Sequence, residues 1–391
     1  MPYDQPVEKI VSLLQKSKAD TVVAAVGSFP FDVITQSYPA LKQLIWVVDE
    51  GSKHLDWNEV PRGTGGAVNV STWQDVIQDQ HESAGTELPV VDRHNNLKKV
   101  LAFWPSGELV EYTQESLISG VAGQLTSIPT TQRITPADLF LPADSLTTIY
   151  PLVLTLAALY SNASVALNSI ASASPDLVFA TQGIAPTIVV ASSSILSKTH
   201  AETVEKLNSS LYRLVHWIQT RSMVQQGVMP ISSVLSRFYD SLRPIIGTTP
   251  GKLRLIYVSE QVGVESIPLS AETLSDLRIF LGARTIYALT AAKVAGAVTQ
   301  TGLYDYRVDD GTGIYSHFGA PVTSVEILFK DTEKHHTTDT HSAGEVMLLS
   351  NAYNLITKVL QIIVRGPAVV NGETSLGISG RMNPDHTLGL L

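Results

Sequence analysis

The sequence contains no cysteine among its 391 residues, and charged residues make up only 16% of it. The missing cysteine excludes disulfides, thiolate metal sites and a cysteine nucleophile. The formal net charge is −9, and no block of five or six like charges occurs. Because nucleic acids and anionic membranes attract clustered basic residues, we expect no nucleic-acid partner and find no polybasic membrane anchor.

Long hydrophobic runs are also missing. The most apolar stretch, residues 151–160, is far shorter than the roughly 20 residues that span a bilayer, and it predicts a buried helix instead. Residues 1–6 lack the basic start and apolar core of a secretory signal. We therefore expect no transmembrane segment and a soluble intracellular protein, either cytoplasmic or peripheral to a membrane.

Hydrophobic residues, by contrast, make up 44% of the chain, and the mean hydropathy of +0.13 indicates a large buried core. Short apolar runs alternate with helical patterns, which predicts an α/β fold of parallel sheets flanked by helices. After about residue 310, β segments punctuated by glycine and proline predict a smaller β-rich C-terminal lobe. The expected division is residues 1–310 and 311–391. The predicted strands are residues 21–26, 44–48, 100–103, 177–180, 187–191, 253–258 and 285–289.

Two segments carry apolar residues at helical spacing and predict helices that face the core. The first comprises Val7, Ile10, Val11 and Leu14, and the second comprises Val204, Leu207, Leu211, Leu214, Val215 and Ile218.

Several motifs bear on possible chemistry. Residues 63–66 are rich in glycine but follow a polar segment, so they predict a surface turn and not a dinucleotide loop. The sequence contains no Gly-x-Ser-x-Gly motif, which argues against a serine hydrolase of that type. A polar segment holds His335, His336 and His341 with Glu333 and Asp339; because its spacing matches no closed metal site, we expect a solvated loop. His216, His317 and His386 are isolated in the sequence and are expected to be satisfied or exposed.

Residues 99–117 run from an apolar strand through Ser106 and Gly107 into a helical pattern, the arrangement that holds phosphates in many proteins. This loop, however, is short. Around Ser106 and Gly107 the loop itself has no further glycine and no lysine or arginine, and two glutamates, Glu108 and Glu111, follow it closely. An acidic loop with few glycines is expected to repel phosphate.

The segment that follows, residues 138–167 with Ala157-Ala-Leu-Tyr160 inside it, resembles adenylate-forming enzymes, particularly long-chain acyl-CoA synthetases. The resemblance covers most of the chain in the right order, although no single motif is intact. It implies the large-domain framework of these enzymes. Further similar segments are residues 186–191, 253–259, 268–272, 319–321, 325–327, 365–367 and 377–388.

The departures from this family fall where its members touch ATP and magnesium. Of the phosphate loop only Ser106 and Gly107 remain. The glutamate that the family associates with magnesium corresponds to Ala291, and the aspartate that holds the ribose corresponds to Ile378. The segment corresponding to the family's adenine turn, residues 259–265, is longer and charged. The resemblance also implies that the family's small C-terminal catalytic domain and an N-terminal portion are absent.

We therefore expect a pseudoenzyme, a catalytically degenerate relative of acyl-CoA synthetases that serves as a binding or scaffold subunit with a protein partner and an acyl lipid as candidate ligands. No catalytic residue, metal site or cofactor is expected. Two alternatives stay open: an active acyl-CoA or carboxylate ligase that uses ATP and magnesium with its missing parts on another chain, and a lipid carrier without chemistry. The resemblance implies five remnants of the cofactor site: Ser106, Gly107, Tyr287, Thr290 and Arg381.

Overall fold

The computed structural model forms two compact units, Met1–Leu97 and Lys98–Leu391. The boundary expected between residues 310 and 311 falls inside the second unit and stays a prediction. The structure describes residues 5–26, 28–48, 63–65, 67–78, 80, 98–104, 108–167, 176–229, 243–249, 251–264, 266–307, 316–330, 360–383 and 385–390.

The first unit is a four-stranded sheet in the order β1-β2-β4-β3. Its strands β1, β2 and β4 are parallel, and β3 runs antiparallel to β4. The elements are α1 (Val7–Ser17), β1 (Thr21–Ala25), α2 (Phe31–Ser37), β2 (Gln43–Val47), β3 (Gly63–Gly65), β4 (Val68–Thr72) and α3 (Trp73–Gln78).

The structure of the first unit tests two of the predictions made from the sequence. The first helical face is confirmed, because Ile10 and Leu14 are buried and Val7 and Val11 pack against the same apolar cluster. The expected surface turn is wrong for Gly63–Gly65, which pairs with β4 as a strand. Glycine is disfavoured in strands, so pairing with β4 decides the conformation here and local propensity does not.

The second unit begins with a hairpin and continues into a seven-stranded sheet in the order β13-β12-β11-β10-β9-β7-β8. Strands β8, β7, β9, β10 and β11 are parallel, whereas β12 and β13 are antiparallel to their neighbours. The strands are β5 (Val100–Phe103), β6 (Leu109–Tyr112), β7 (Leu139–Pro142), β8 (Ser164–Val165), β9 (Ile188–Ser192), β10 (Leu255–Gln261), β11 (Arg284–Thr290), β12 (Ala297–Gln300) and β13 (Ala320–Pro321).

Helices cover this sheet, and an antiparallel sheet follows it, so the expected α/β architecture with a smaller β-rich C-terminal part is confirmed. The helices are α4 (Gln114–Thr126), α5 (Ile149–Tyr160), α6 (Leu177–Ala180), α7 (Ser193–Val204), α8 (Ser210–Gln226) and α9 (Ala271–Leu281). The antiparallel sheet runs in the order β14 (Glu326–Lys330), β15 (Leu360–Arg365), β16 (Glu373–Met382) and β17 (Leu388–Leu390).

Six of the seven predicted strands are confirmed, as is the buried helix α5. The strand predicted at residues 177–180 is wrong, because these residues form the short helix α6. Its N-cap explains the difference: the Asp176 carboxylate accepts a hydrogen bond from the Val178 N–H at 2.9 Å. Such a cap satisfies an amide that would otherwise have no partner in the first turn.

The second predicted helical face is also wrong. The helix ends at Val204, and a new one begins after Ser209, whose hydroxyl accepts a hydrogen bond from the Leu211 N–H. This restart changes the phase of the pattern, so Leu211 and Leu214 are exposed and Val215 alone of the later predicted residues is buried. No described helix is long and apolar enough to cross a membrane.

The amino ends of three parallel strands share one ion pair. Asp138, Thr187 and Arg254 immediately precede β7, β9 and β10. Arg254 Nε and Nη2 donate to Asp138 Oδ1 and Oδ2, both at 2.8 Å, and the Thr187 hydroxyl donates to Oδ1 at 2.8 Å. Burial raises the pKa of Asp138, but the hydrogen bonds from Arg254, Thr135 and Thr187 outweigh it and lower the pKa to about 2. The pair therefore stays ionised and anchors this edge of the sheet.

Candidate functional site

The segment expected to lead into a helix forms a β-hairpin. Strands β5 and β6 pair from Val100 opposite Tyr112 to Phe103 opposite Leu109. The expected helical pattern is wrong before Thr113, because Val110 and Tyr112 are buried on one side of β6 while Glu111 is exposed on the other, the period of a strand. Thr113 then caps α4. Ser106 and Gly107, two of the predicted remnants, lie outside the described residues.

A cavity of about 220 Å³ lies beside this hairpin. Its walls come from Trp104 and Glu108 of the hairpin, residues 262–264 after β10, residues 291–293 after β11, and residues 374–376 of β16. Strands β10 and β11 end at Gln261 and Thr290, so the cavity adjoins their carboxyl ends. Open α/β sheets typically bind ligands at this edge. We therefore take this cavity as the candidate site.

Two residues that line the cavity form an ion pair. Lys293 Nζ lies 2.8 Å from Glu108 Oε1, and both side chains are partly exposed. Among the described residues that line the cavity, these two are the only charged ones, so their charges cancel. An exposed pair of this kind adds only about 0–1 kcal/mol to stability. Its importance is electrostatic, because the lysine is already neutralised and a carboxylate faces any incoming anion.

Two alanines form the wall where the resemblance implies a magnesium ligand. Ala291 and Ala292 offer methyl groups, whereas magnesium is bound through carboxylate, phosphate and water oxygens. The Ala292 carbonyl accepts a hydrogen bond from the Tyr112 hydroxyl, which in turn accepts one from Trp104 Nε1 at 3.3 Å. Burial raises the pKa of Tyr112, so the phenol keeps its proton. Within the described parts of the chain, no group of three or more histidine, aspartate or glutamate side chains is placed to hold a metal ion.

The predicted remnants Tyr287 and Thr290 are buried in β11. The Tyr287 hydroxyl donates to Glu260 Oε2 at 2.9 Å and accepts from the Leu269 N–H at 2.9 Å. Its ring stacks on Phe318 with centroids 4.6 Å apart. Burial and the neighbouring Glu260 raise the pKa of Tyr287. Both hydrogen-bond partners of the Tyr287 hydroxyl, Glu260 and Leu269, are therefore buried in the core.

The predicted remnants Thr290 and Arg381 both contact neighbouring strands. The Thr290 hydroxyl donates to the Glu260 backbone carbonyl at 3.0 Å, which ties β11 to β10. Arg381 belongs to β16 and its backbone lies opposite Gly389. Whether any of the five remnants contacts a ligand stays a prediction.

Sequence reasoning missed the contacts of two charged residues in this region. Glu260 looked like part of a charged turn, but it lies in β10 and is buried, hydrogen-bonded to Tyr287 and Ser266. The signal was its position beside the apolar run 255–258. Lys293 gave no signal, because its partner Glu108 is remote in sequence and only the fold brings the two together.

The histidines have structural partners. His216 is satisfied, as expected: its Nε2 lies 2.7 Å from Asp276 Oδ1, and His200 Nε2 lies 2.9 Å from Asp276 Oδ2. His317 is buried and its Nδ1 accepts a hydrogen bond from the Gly319 N–H, whereas His386 is exposed. The predicted loop with His335, His336 and His341 lies outside the described residues.

No family model matches this chain, and no curated protein matches it. Solved structures do match. O-succinylbenzoate coenzyme A synthetase from Bacillus subtilis, in complex with ATP and magnesium ion, is 12% identical with a TM-score of 0.54, covering 99% of this chain and 62% of that one. A benzoate CoA ligase from Burkholderia xenovorans LB400 is 14% identical with a TM-score of 0.55, at 99% and 62% coverage. The luciferase-like enzyme from the mealworm Zophobas morio is 10% identical with a TM-score of 0.56, at 99% and 75% coverage.

At these identities the likeness shows the fold alone. The chain has the mixed α/β fold of adenylate-forming acyl- and aryl-CoA ligases, so the fold implied by the sequence resemblance is confirmed. The chain spans about three-fifths of the length of the first two of these structures, at 62% of each.

Proposed function

We propose that this chain uses the framework of acyl- and aryl-CoA ligases without their ATP-dependent chemistry, as a non-catalytic binding or scaffold subunit within the cell. The observation that carries the proposal is the Glu108–Lys293 ion pair in the lining of the cavity at the carboxyl ends of β10 and β11. Adenylation needs the triphosphate charge neutralised and the pyrophosphate leaving group stabilised by groups fixed in advance. In this cavity the charges of Glu108 and Lys293 neutralise each other instead.

The walls of the cavity support the same proposal. Ala291 and Ala292 supply no oxygen side chain for magnesium, and the hydroxyls of Tyr287 and Thr290 are engaged in the core. Removal of one preorganised donor typically costs about 10²–10³ in rate. Several such differences together leave no route to useful adenylation, whereas they do not affect a role in binding a protein partner or an acyl lipid.

One observation favours an active ligase as the second candidate. The Lys293 side chain is partly exposed, and a movement of Glu108 would free its ammonium group for a phosphate. In that case the missing catalytic parts would come from another chain, and ATP and magnesium would be the cofactors.

Titration of Mg–ATP into the purified chain separates the two candidates. We expect no heat and no thermal shift at millimolar nucleotide, with an intact acyl-CoA ligase as the positive control. Binding tighter than about 100 μM, roughly −5.5 kcal/mol, would contradict the proposal.

The Glu108→Gln variant tests whether the charge of Glu108 weakens the binding of Mg–ATP. Removal of one carboxylate charge near a phosphate is expected to strengthen the weak residual affinity for Mg–ATP about fivefold, since two charges about 4 Å apart in water interact by about 1 kcal/mol. Glu111→Gln is the matched control, because Glu111 lies on the same hairpin but pairs with Lys99 and does not line this cavity. Equal nucleotide affinities for the two variants would show that the ion pair is not what excludes the nucleotide.

A further inference from the structure

Helix α8 carries apolar side chains on its solvent-exposed side as well as on its buried side. Its inner face carries Gln219, which is buried, and His216, which binds Asp276, beside the buried Val215 and Met223. Several of its outward-facing side chains are apolar and exposed to solvent. The exposed fractions are 56% for Leu211, 53% for Leu214, 55% for Trp217, 40% for Ile218 and 36% for Val224.

These exposed residues form one continuous surface. Residues three or four apart are neighbours on a helix, so Leu211, Leu214 and Ile218 form one row with Trp217 beside it. Single exposed apolar residues are ordinary, whereas a contiguous patch marks an interaction site. We call the surface formed by these four residues the α8 outer face.

The ionised side chains of helix α8 itself have one sign. Helix α8 contains Arg213 and Arg221 but no aspartate or glutamate, and residues 206–239 of the sequence contain no acidic residue. This is unusual in a chain whose net charge is −9. The Arg221 guanidinium lies over the Trp217 ring, 5.2 Å from its centroid, so a positive charge flanks the aromatic anchor.

We infer that the α8 outer face docks onto the surface of an anionic lipid bilayer. A helix with an apolar face that includes tryptophan, and with arginines beside that face, lies in the plane of the membrane boundary. The apolar side chains enter the boundary between headgroups and acyl chains, and the arginines meet lipid phosphates. The lack of carboxylates on α8 and the placement of Trp217 favour a membrane over a protein surface. This inference does not depend on the proposed function.

Sedimentation of the full chain with lipid vesicles tests the inference. We expect binding to vesicles of phosphatidylcholine mixed with phosphatidylglycerol, and binding at least about tenfold weaker to pure phosphatidylcholine. Salt at about 0.5 M should weaken the binding, because it screens the arginine charges. No binding to the anionic vesicles, or equal binding to both vesicle types, would overturn the inference.

Two double variants locate the docking surface. Leu214→Gln with Trp217→Gln should weaken vesicle binding by about tenfold or more, because two apolar anchors are lost. Ile118→Gln with Ile245→Gln is the matched control, since these side chains are exposed by 66% and 74% outside α8. Circular dichroism and the Tm confirm that both variants fold. Vesicle binding by the α8 variant at the wild-type level would overturn the inference.

Fluorescence adds a site-specific readout. Wild-type emission should shift to shorter wavelength on anionic vesicles as Trp217 leaves water, and Trp217→Phe should remove this shift while the protein still sediments. If the chain instead forms a dimer that the Leu214 and Trp217 substitutions abolish, and does not sediment with vesicles, the α8 outer face belongs to a second copy of the chain and the inference is wrong.

Discussion

The Gly319→Ala variant should fail to fold. Gly319 has a φ of +71°, and a Cβ at this position would lie 2.0 Å from the Gln300 carbonyl oxygen and 2.6 Å from the Thr301 Cα. Both are backbone atoms at the end of β12, which pairs on both sides within the sheet. The clash can be relieved only by moving the strand, so we expect a loss above about 4 kcal/mol, and no cooperative unfolding transition by circular dichroism.

Gly372→Ala is the matched control for this experiment. Gly372 has a φ of +79°, but a Cβ added there would meet no atom within 4 Å beyond its own chain neighbours. The control therefore carries the cost of a positive φ alone, about 1–2 kcal/mol. If Gly319→Ala and Gly372→Ala unfold at the same temperature, the close approach to β12 does not determine stability.

The Arg254→Ala variant should lose about 3–5 kcal/mol of stability, measured by urea unfolding, because it leaves the buried Asp138 carboxylate without its positively charged partner. Arg365→Ala is the control. Arg365 also binds a carboxylate, Glu373, at 2.6 Å, but both side chains are about half exposed. Removal of such a surface pair should cost only about 0–1 kcal/mol. Equal losses in the two variants would contradict the structural role of the Asp138–Arg254 pair.

The stability difference between wild type and Arg254→Ala should depend on pH. The pKa of Asp138 is lowered to about 2 in the folded chain, compared with about 3.9 in an unfolded one. A carboxyl with a lowered pKa stabilises the fold fully above the unfolded pKa, and this contribution fades as the pH falls from about 4 to 2. The difference should therefore be constant from pH 5 to 7 and shrink below pH 4. A difference that stays constant down to pH 2 would contradict this assignment.

Much of the sheet could be predicted from the sequence, for a physical reason. The central strands β9, β10 and β11 are buried on both faces, so they appear in the sequence as continuous apolar runs. The helix α5 is apolar nearly all round and is buried accordingly. A helix or strand that is buried on all sides can therefore be located in the sequence from its apolar composition alone.

The errors occurred where a single local contact decided the structure. The Asp176 cap turned the apolar run 177–180 into a helix, and the Ser209 cap restarted α8 with its apolar residues outward. In the candidate site, the Glu108–Lys293 pair joins residues that only the fold brings together. Pairings of this kind leave no periodic pattern in the sequence, so this ion pair could not be predicted from it.

The Asp138–Arg254 pair lies at the amino ends of the parallel strands, whereas the cavity lies at their carboxyl ends. Mutations that change the lining of the cavity therefore leave this anchor intact. Residues that line the cavity at one edge can therefore change during evolution without loss of the residues that stabilise the sheet at the other edge. For the same reason, residues 291–293 and 374–376 are suitable positions for combinatorial libraries aimed at new ligands.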